Sequence, residues 1–165
     1  MSVLISQPKN IKKELIKSLE SGSLRASNLI LLAVKETEYQ LLATQDNSNN
    51  IINLSKDIAG KLLGMSNKER KDNVPKLLAS LVEECEGICW LNRIALLFEE
   101  SLEIDPLKLL KKAARKKPLV VFWSGDIDAF SLSYSKPGRP DYKSYNLSEL
   151  QDVQVITTYI QGVNE

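Results

Sequence analysis

Apolar and polar positions alternate with two periods along this chain. Ile11, Leu15, Ile16 and Leu19 recur at helical spacing, with Lys12, Lys13, Glu14 and Lys17 between them. This predicts an amphipathic helix that begins after Pro8 and ends at Gly22. Residues 28–34 form a short continuous apolar run, the pattern of a strand buried on both faces. Residues 38–44 read as a helix, 45–50 as a polar loop and 51–54 as a second strand. Ser55 is placed to cap a helix carrying Ile58, Leu62 and Leu63 that ends near Gly64. The charged stretch 67–73 reads as a solvated turn or short helix. Pro75 then suits the first turn of a new helix bearing Leu77, Leu78, Leu81 and Val82.

Glu86-Gly87 ends that helix and a strand over 88–91 follows, with 94–98 as an apolar helical turn. Asp105 caps and Pro106 opens a helix with Leu107, Leu109 and Leu110 inward. Its basic end, Arg115-Lys116-Lys117, suits the negative pole of the helix dipole. Pro118 stops it before the strand 119–123. Residues 130–134 alternate as a strand with one wet face, 136–141 make a structured loop, and 153–159 are β-branched and alternating, a last strand. The order β, α, β, α, α, β, α, β predicts a three-layer α/β sandwich over 1–165. Its central sheet should be mostly parallel, with C-terminal strands open to antiparallel pairing. Residues 1–24 hold the N-terminal amphipathic helix, and no linker divides the chain.

Composition narrows the chemistry. An apolar share of 43% argues for a packed core. The chain has no His, which excludes a Ser-His-Asp triad, a Cys-His dyad and a His-bearing zinc site. Cys85 and Cys89 lack a second pair for a tetrahedral zinc site, and read as two reduced thiols. With no apolar signal core and no run of membrane-spanning length, the expectation is a cytoplasmic protein without a membrane partner.

Buried strands joined by helices are also the body of a P-loop NTPase, so the chain can be tested for that chemistry. There the first buried strand runs into a glycine-rich loop whose N–H groups wrap phosphates, while a Lys reaches the terminal phosphates and Ser/Thr binds Mg²⁺. Here the run is Lys35-Glu36-Thr37-Glu38-Tyr39-Gln40, with no glycine between Gly22 and Gly60. Glu36 and Glu38 put negative charge where an anion would sit. The strand 88–91 ends at Asn92-Arg93, and Asn lacks the charge that a Walker B carboxylate offers Mg²⁺.

The run Ile104-Asp105-Pro106-Leu107-Lys108-Leu109-Leu110, the strand ending Trp123-Ser124-Gly125, and the stretch from Leu132 through Pro137-Gly138-Arg139-Pro140 to Tyr142 resemble the C-terminal half of BrxF. BrxF is the small P-loop component of one BREX bacteriophage-defence type. The resemblance covers roughly residues 28–145. It implies a P-loop-NTPase-like fold with the Walker A position on 35–42 and the Walker B acid on Asn92. Both signatures are missing, so no catalytic residues, ATP, Mg²⁺ or other cofactor and no metal are expected. What the resemblance then implies is a pseudo-NTPase, a non-catalytic part of a defence complex that acts through other proteins, with homo-oligomerisation open.

A separate reading rests on charge. Net charge is only +1, yet Lys111, Lys112, Arg115, Lys116 and Lys117 crowd one helix end, and Lys136, Arg139 and Tyr142 share the Pro-rich loop. Cations beside aromatic faces suit DNA or a partner surface. The alternatives are therefore a nucleic-acid-binding module and a cryptic NTPase active only in a complex.

Overall fold

Leu29, Ile30, Leu31 and Leu32 are all fully buried, which requires a strand covered on both faces. In the structure, a computed structural model, residues 3–20, 28–45 and 50–159 are described. They form β1 (Val3–Ile5), α1 (Ile11–Glu20), β2 (Leu29–Ala33), α2 (Glu36–Gln45), β3 (Ile51–Asn53), α3 (Leu54–Leu62) and α4 (Asn67–Glu84). There follow β4 (Cys89–Asn92), α5 (Pro106–Ala113), β5 (Leu119–Phe122), β6 (Asp126–Ile127), β7 (Ser131–Tyr134), β8 (Lys143–Asn146) and β9 (Gln154–Thr157). The predicted stop at Gly22 and most of the predicted 45–50 loop lie outside the described residues; Gln45 itself closes α2.

Six strands make one parallel sheet in the order β1-β9-β2-β5-β4-β3. Side chains alternate between its faces. Ile30, Leu32, Trp90, Val120 and Ile156 meet Ile11 and Leu15 of α1 and Tyr39 and Ala43 of α2. Leu29, Leu31, Leu91, Leu119, Val121 and Val155 face α3, α4, α5 and the second sheet. Connections running one way along the sheet cross by the first face and those running back cross by the second, so they share one hand. The α/β class with helices on both faces of a mostly parallel sheet is as expected. The expected antiparallel strands are β6-β7-β8, a separate three-stranded meander, whereas β9 is parallel within the main sheet.

Several local expectations change. Residues 67–84 are one helix, with Ser66 as its cap and Pro75 inside it. Val74, Leu78 and Val82 form one buried stripe across the proline, and that packing outweighs the lost backbone bond. Asn53, not Ser55, caps α3, its side chain accepting from the Lys56 N–H at 3.1 Å. Leu63 lies outside α3 and is 79% exposed. Cys85 and Cys89 are not free thiols but joined as a disulfide. Gly87, at φ 86°, turns the chain so that their Cα atoms stand 5.7 Å apart, within bridging reach.

The Asp105-Pro106 helix start is as read. The Asp105 carboxylate accepts from the N–H groups of Leu107 (3.1 Å) and Lys108 (3.4 Å), and from the Tyr145 hydroxyl (3.1 Å). Burial, then the Asp105 charge, holds the Tyr145 hydroxyl well above its usual pKa, so it remains a donor. Asp105 thus ties α5 to β8. Asp105→Ala is expected to lose about 1–2 kcal/mol in urea unfolding. Asp105→Asn, an equally good cap, should recover most of it, and equal losses for both would refute the capping role.

Candidate functional site

In an open α/β sheet, ligands gather beyond the carboxyl ends of strands, where neighbouring strands send their chains to opposite faces. Here that place lies between β2, which leads into α2 on one face, and β5, which leads into the meander on the other. The residues leaving β2 are Val34, Lys35 and Glu36. Those leaving β4, on the far side of β5, are Asn92 and Arg93.

Arg93 has left-handed backbone angles (φ 55°, ψ 50°), an uncommon state for a residue other than glycine. The Ser55 hydroxyl donates to its carbonyl at 3.0 Å. In this pose the Arg93 guanidinium reaches the Glu36 carboxylate at 2.7 Å. Glu36 follows β2 and Arg93 follows β4, so the pair spans the carboxyl end of the intervening β5. Glu38 folds back to accept from the Lys35 N–H at 3.3 Å. The positive pole of α2 therefore faces two of the chain's own carboxylates. Lys35 and Thr37 are exposed.

Asn92 is half-buried, and its Oδ1 is buried without a hydrogen-bond partner among the described residues. The Tyr39 hydroxyl is in the same condition, its pKa pushed well up by burial. Both residues border a cavity of about 540 Å³ between α2 and the edge strand β3. Among the described residues, no group of three or more His, Cys, Asp or Glu side chains is arranged to hold a metal ion.

The basic residues separate into engaged and unengaged sets. Lys111 pairs with Asp152 at 2.8 Å and donates to the Glu149 carbonyl at 2.9 Å. Lys117 points back at the end of α4, donating to the carbonyls of Val82, Glu83 and Cys85; the Val82 carbonyl also accepts from the Cys85 N–H. Lys136 pairs with Asp126 at 2.6 Å. Lys112, Arg115 and Lys116 are exposed and, among the described residues, make no ion pair. Arg139 and the half-buried Tyr142 belong to a tight turn, with Arg139 N–H to Lys136 O and Tyr142 N–H to Arg139 O both at 3.1 Å.

That loop and the cations of α5 do not form one surface. Pro140 and Lys143 border an acid-walled cavity with Glu99, Glu100, Glu103 and Asp105, at the start of α5. Lys112, Arg115 and Lys116 gather at its other end, about 12 Å along the axis. There they border a groove of about 420 Å³ between α4 and α5, with Lys76, Lys117 and Glu83 on its walls and Pro75, Ala79, Val82, Leu109 and Ala113 as its apolar lining. Lys76 and the apolar lining were not read from the sequence as part of this surface. The small side chains at Ala79 and Ala113 were the available signal.

Among the described residues, no helix is long and apolar enough to cross a membrane. No family model matches the chain, and no curated protein or solved structure is detectably similar to it.

Proposed function

We propose that this chain is a non-catalytic scaffold of P-loop-NTPase-like descent that works by binding other proteins. The observation that carries this reading is the Glu36–Arg93 pair across the carboxyl end of β5. A phosphate chain at that place needs backbone N–H groups and cations; here α2 opens on Glu36 and Glu38. The strand entering this turn, β2, is central in the sheet, as a phosphate-binding strand would be, yet no glycine follows it. The resemblance of residues 28–145 to BrxF supports membership of a bacterial phage-defence complex.

Calorimetry with ATP and with GTP, each with Mg²⁺, is expected to give no binding heat, and Glu36→Ala should not create any. Micromolar binding or turnover by the isolated chain would refute the proposal. Turnover that appears only with other components of a complex would identify a cryptic NTPase.

A nucleic-acid-binding module is the second reading, favoured by the exposed Lys112, Arg115 and Lys116. It requires a salt-dependent shift of single- or double-stranded DNA that Lys112→Ala/Arg115→Ala/Lys116→Ala abolishes. No shift at low salt would remove it.

A further inference from the structure

We propose that the groove between α4 and α5 is the docking site for an acidic segment of a partner protein, anchored by an apolar side chain. The inference rests on the protein-binding reading above and assigns it a surface and a partner chemistry. The groove exists because Ala79 and Ala113 leave space between two helices otherwise in contact.

Its lining is apolar at the base and cationic at the margin. Five cations (Lys76, Lys112, Arg115, Lys116 and Lys117) face a single carboxylate, Glu83, although the whole chain carries a net charge of only +1. A positive field concentrated on one site of a near-neutral protein selects a negative partner and speeds its encounter. Lys112, Arg115 and Lys116 are exposed toward it, and among the described residues no acid neutralises any of them.

The base decides which kind of anion. Single-stranded nucleic acid stacks its bases on aromatic rings. Among the described residues, no aromatic one borders the groove; Pro75, Ala79, Val82, Leu109 and Ala113 do. That lining accepts aliphatic carbon, and about 420 Å³ holds one or two large apolar side chains, not an entire helix. Peptide segments that lay apolar anchors into a groove between charged flanks have this complement. Lys117 also bonds the carbonyls of Val82 and Glu83, which fixes the wall of the groove to the end of α4.

The test uses the full chain and a short fluorescein-labelled peptide in which leucine anchors are flanked by glutamates, read by anisotropy at low salt. A peptide with lysines in place of the glutamates and a single-stranded oligo-dT serve as comparisons. The acidic peptide should bind and the basic one should not. Lys112→Glu/Arg115→Glu/Lys116→Glu should weaken binding roughly tenfold or more. Ala79→Trp, which fills the groove without altering charge, should weaken it as well. Circular dichroism would confirm that both variants are folded; the three reversals lie on exposed side chains, so they test the site even if Ala79→Trp disturbs α4.

Absence of binding by the acidic peptide, or binding that neither variant alters, overturns the proposal. Preference for oligo-dT through the same three cations also overturns it, in favour of nucleic acid. Nucleotide calorimetry separates the two levels. Heat from Mg-ATP with peptide binding intact removes the pseudo-NTPase reading and leaves the groove. No heat and no peptide binding removes the groove alone.

Discussion

Trp123→Ala is expected to lower the unfolding free energy by about 3–5 kcal/mol. Trp123 is fully buried just beyond β5, and its indole N–H donates to the Ser133 carbonyl at 2.9 Å. Its ring meets Phe98, Tyr134 and Tyr145 at centroid distances of 5.6, 6.1 and 6.3 Å. Phe98 and Tyr134 are themselves stacked at 3.8 Å. Trp123 is therefore the joint between the parallel sheet and the antiparallel meander. Alanine would open a cavity among three rings and leave the Ser133 carbonyl without its indole donor. Urea unfolding followed by far-UV circular dichroism measures the loss, with Trp90 fluorescence as an independent probe inside the other core. Trp123→Phe should lose less, since it keeps most of the ring volume and forfeits the hydrogen bond, about 1–2 kcal/mol. A loss under about 1 kcal/mol for the alanine variant would show that the meander is not held through this ring.

Gly125→Ala should be nearly as damaging, at about 3 kcal/mol, although it adds one methyl group. Gly125 does not need a positive φ. What it needs is room, because a Cβ there would collide with the Ser133 carbonyl oxygen and lie 2.8 Å from both the Ser133 carbonyl carbon and the Trp123 indole nitrogen. Backbone cannot swing aside as a flexible side chain can. To accept the methyl, β6 and β7 must separate, and the Trp123–Ser133 bond must lengthen or break. The expected signature is a lowered urea midpoint with displaced amide signals confined to 123–134. Gly138→Ala is the comparison: its site is open, at φ 91°, so its cost is backbone strain alone, about 1 kcal/mol. If Gly125→Ala were the milder of the two, close approach would not be what requires glycine at 125.

Sequence legibility follows the range of the physical signal. β2, β4 and β5 are continuous apolar runs because both of their faces are covered, and that signature is local. The Asp105-Pro106 cap is likewise contained within a few residues. β1 and β8 escaped for opposite reasons. Val3–Ile5 is too short to show a period, and Lys143–Asn146 is mostly polar, with Tyr145 alone buried. Pro75 misleads because a local rule for proline competes with the stripe Val74, Leu78, Val82, whose partners are distant in sequence.

The candidate surfaces divide in the same manner. The missing glycines after β2 and the cations of α5 were plain in the sequence. That Glu36 meets Arg93, 57 residues away, was not. Nor was the engagement of Lys111 by Asp152 or of Lys117 by α4, since each depends on how separate elements pack. The groove needed two alanines on different helices to be recognised as facing one another.

The place of β9 has a bearing on how this sheet comes into being. Val3 pairs with Val155, and Leu31 pairs with the same residue from the other side. A strand from near the C-terminal end is wedged between two from the N-terminal part. During synthesis, β1 and β2 leave the ribosome as neighbours with a gap that only residues 154–157 can fill. The sheet therefore cannot close until residues 154–157 have emerged. Such pairing carries a high contact order, and it favours slow, late and all-or-none assembly over strand-by-strand growth.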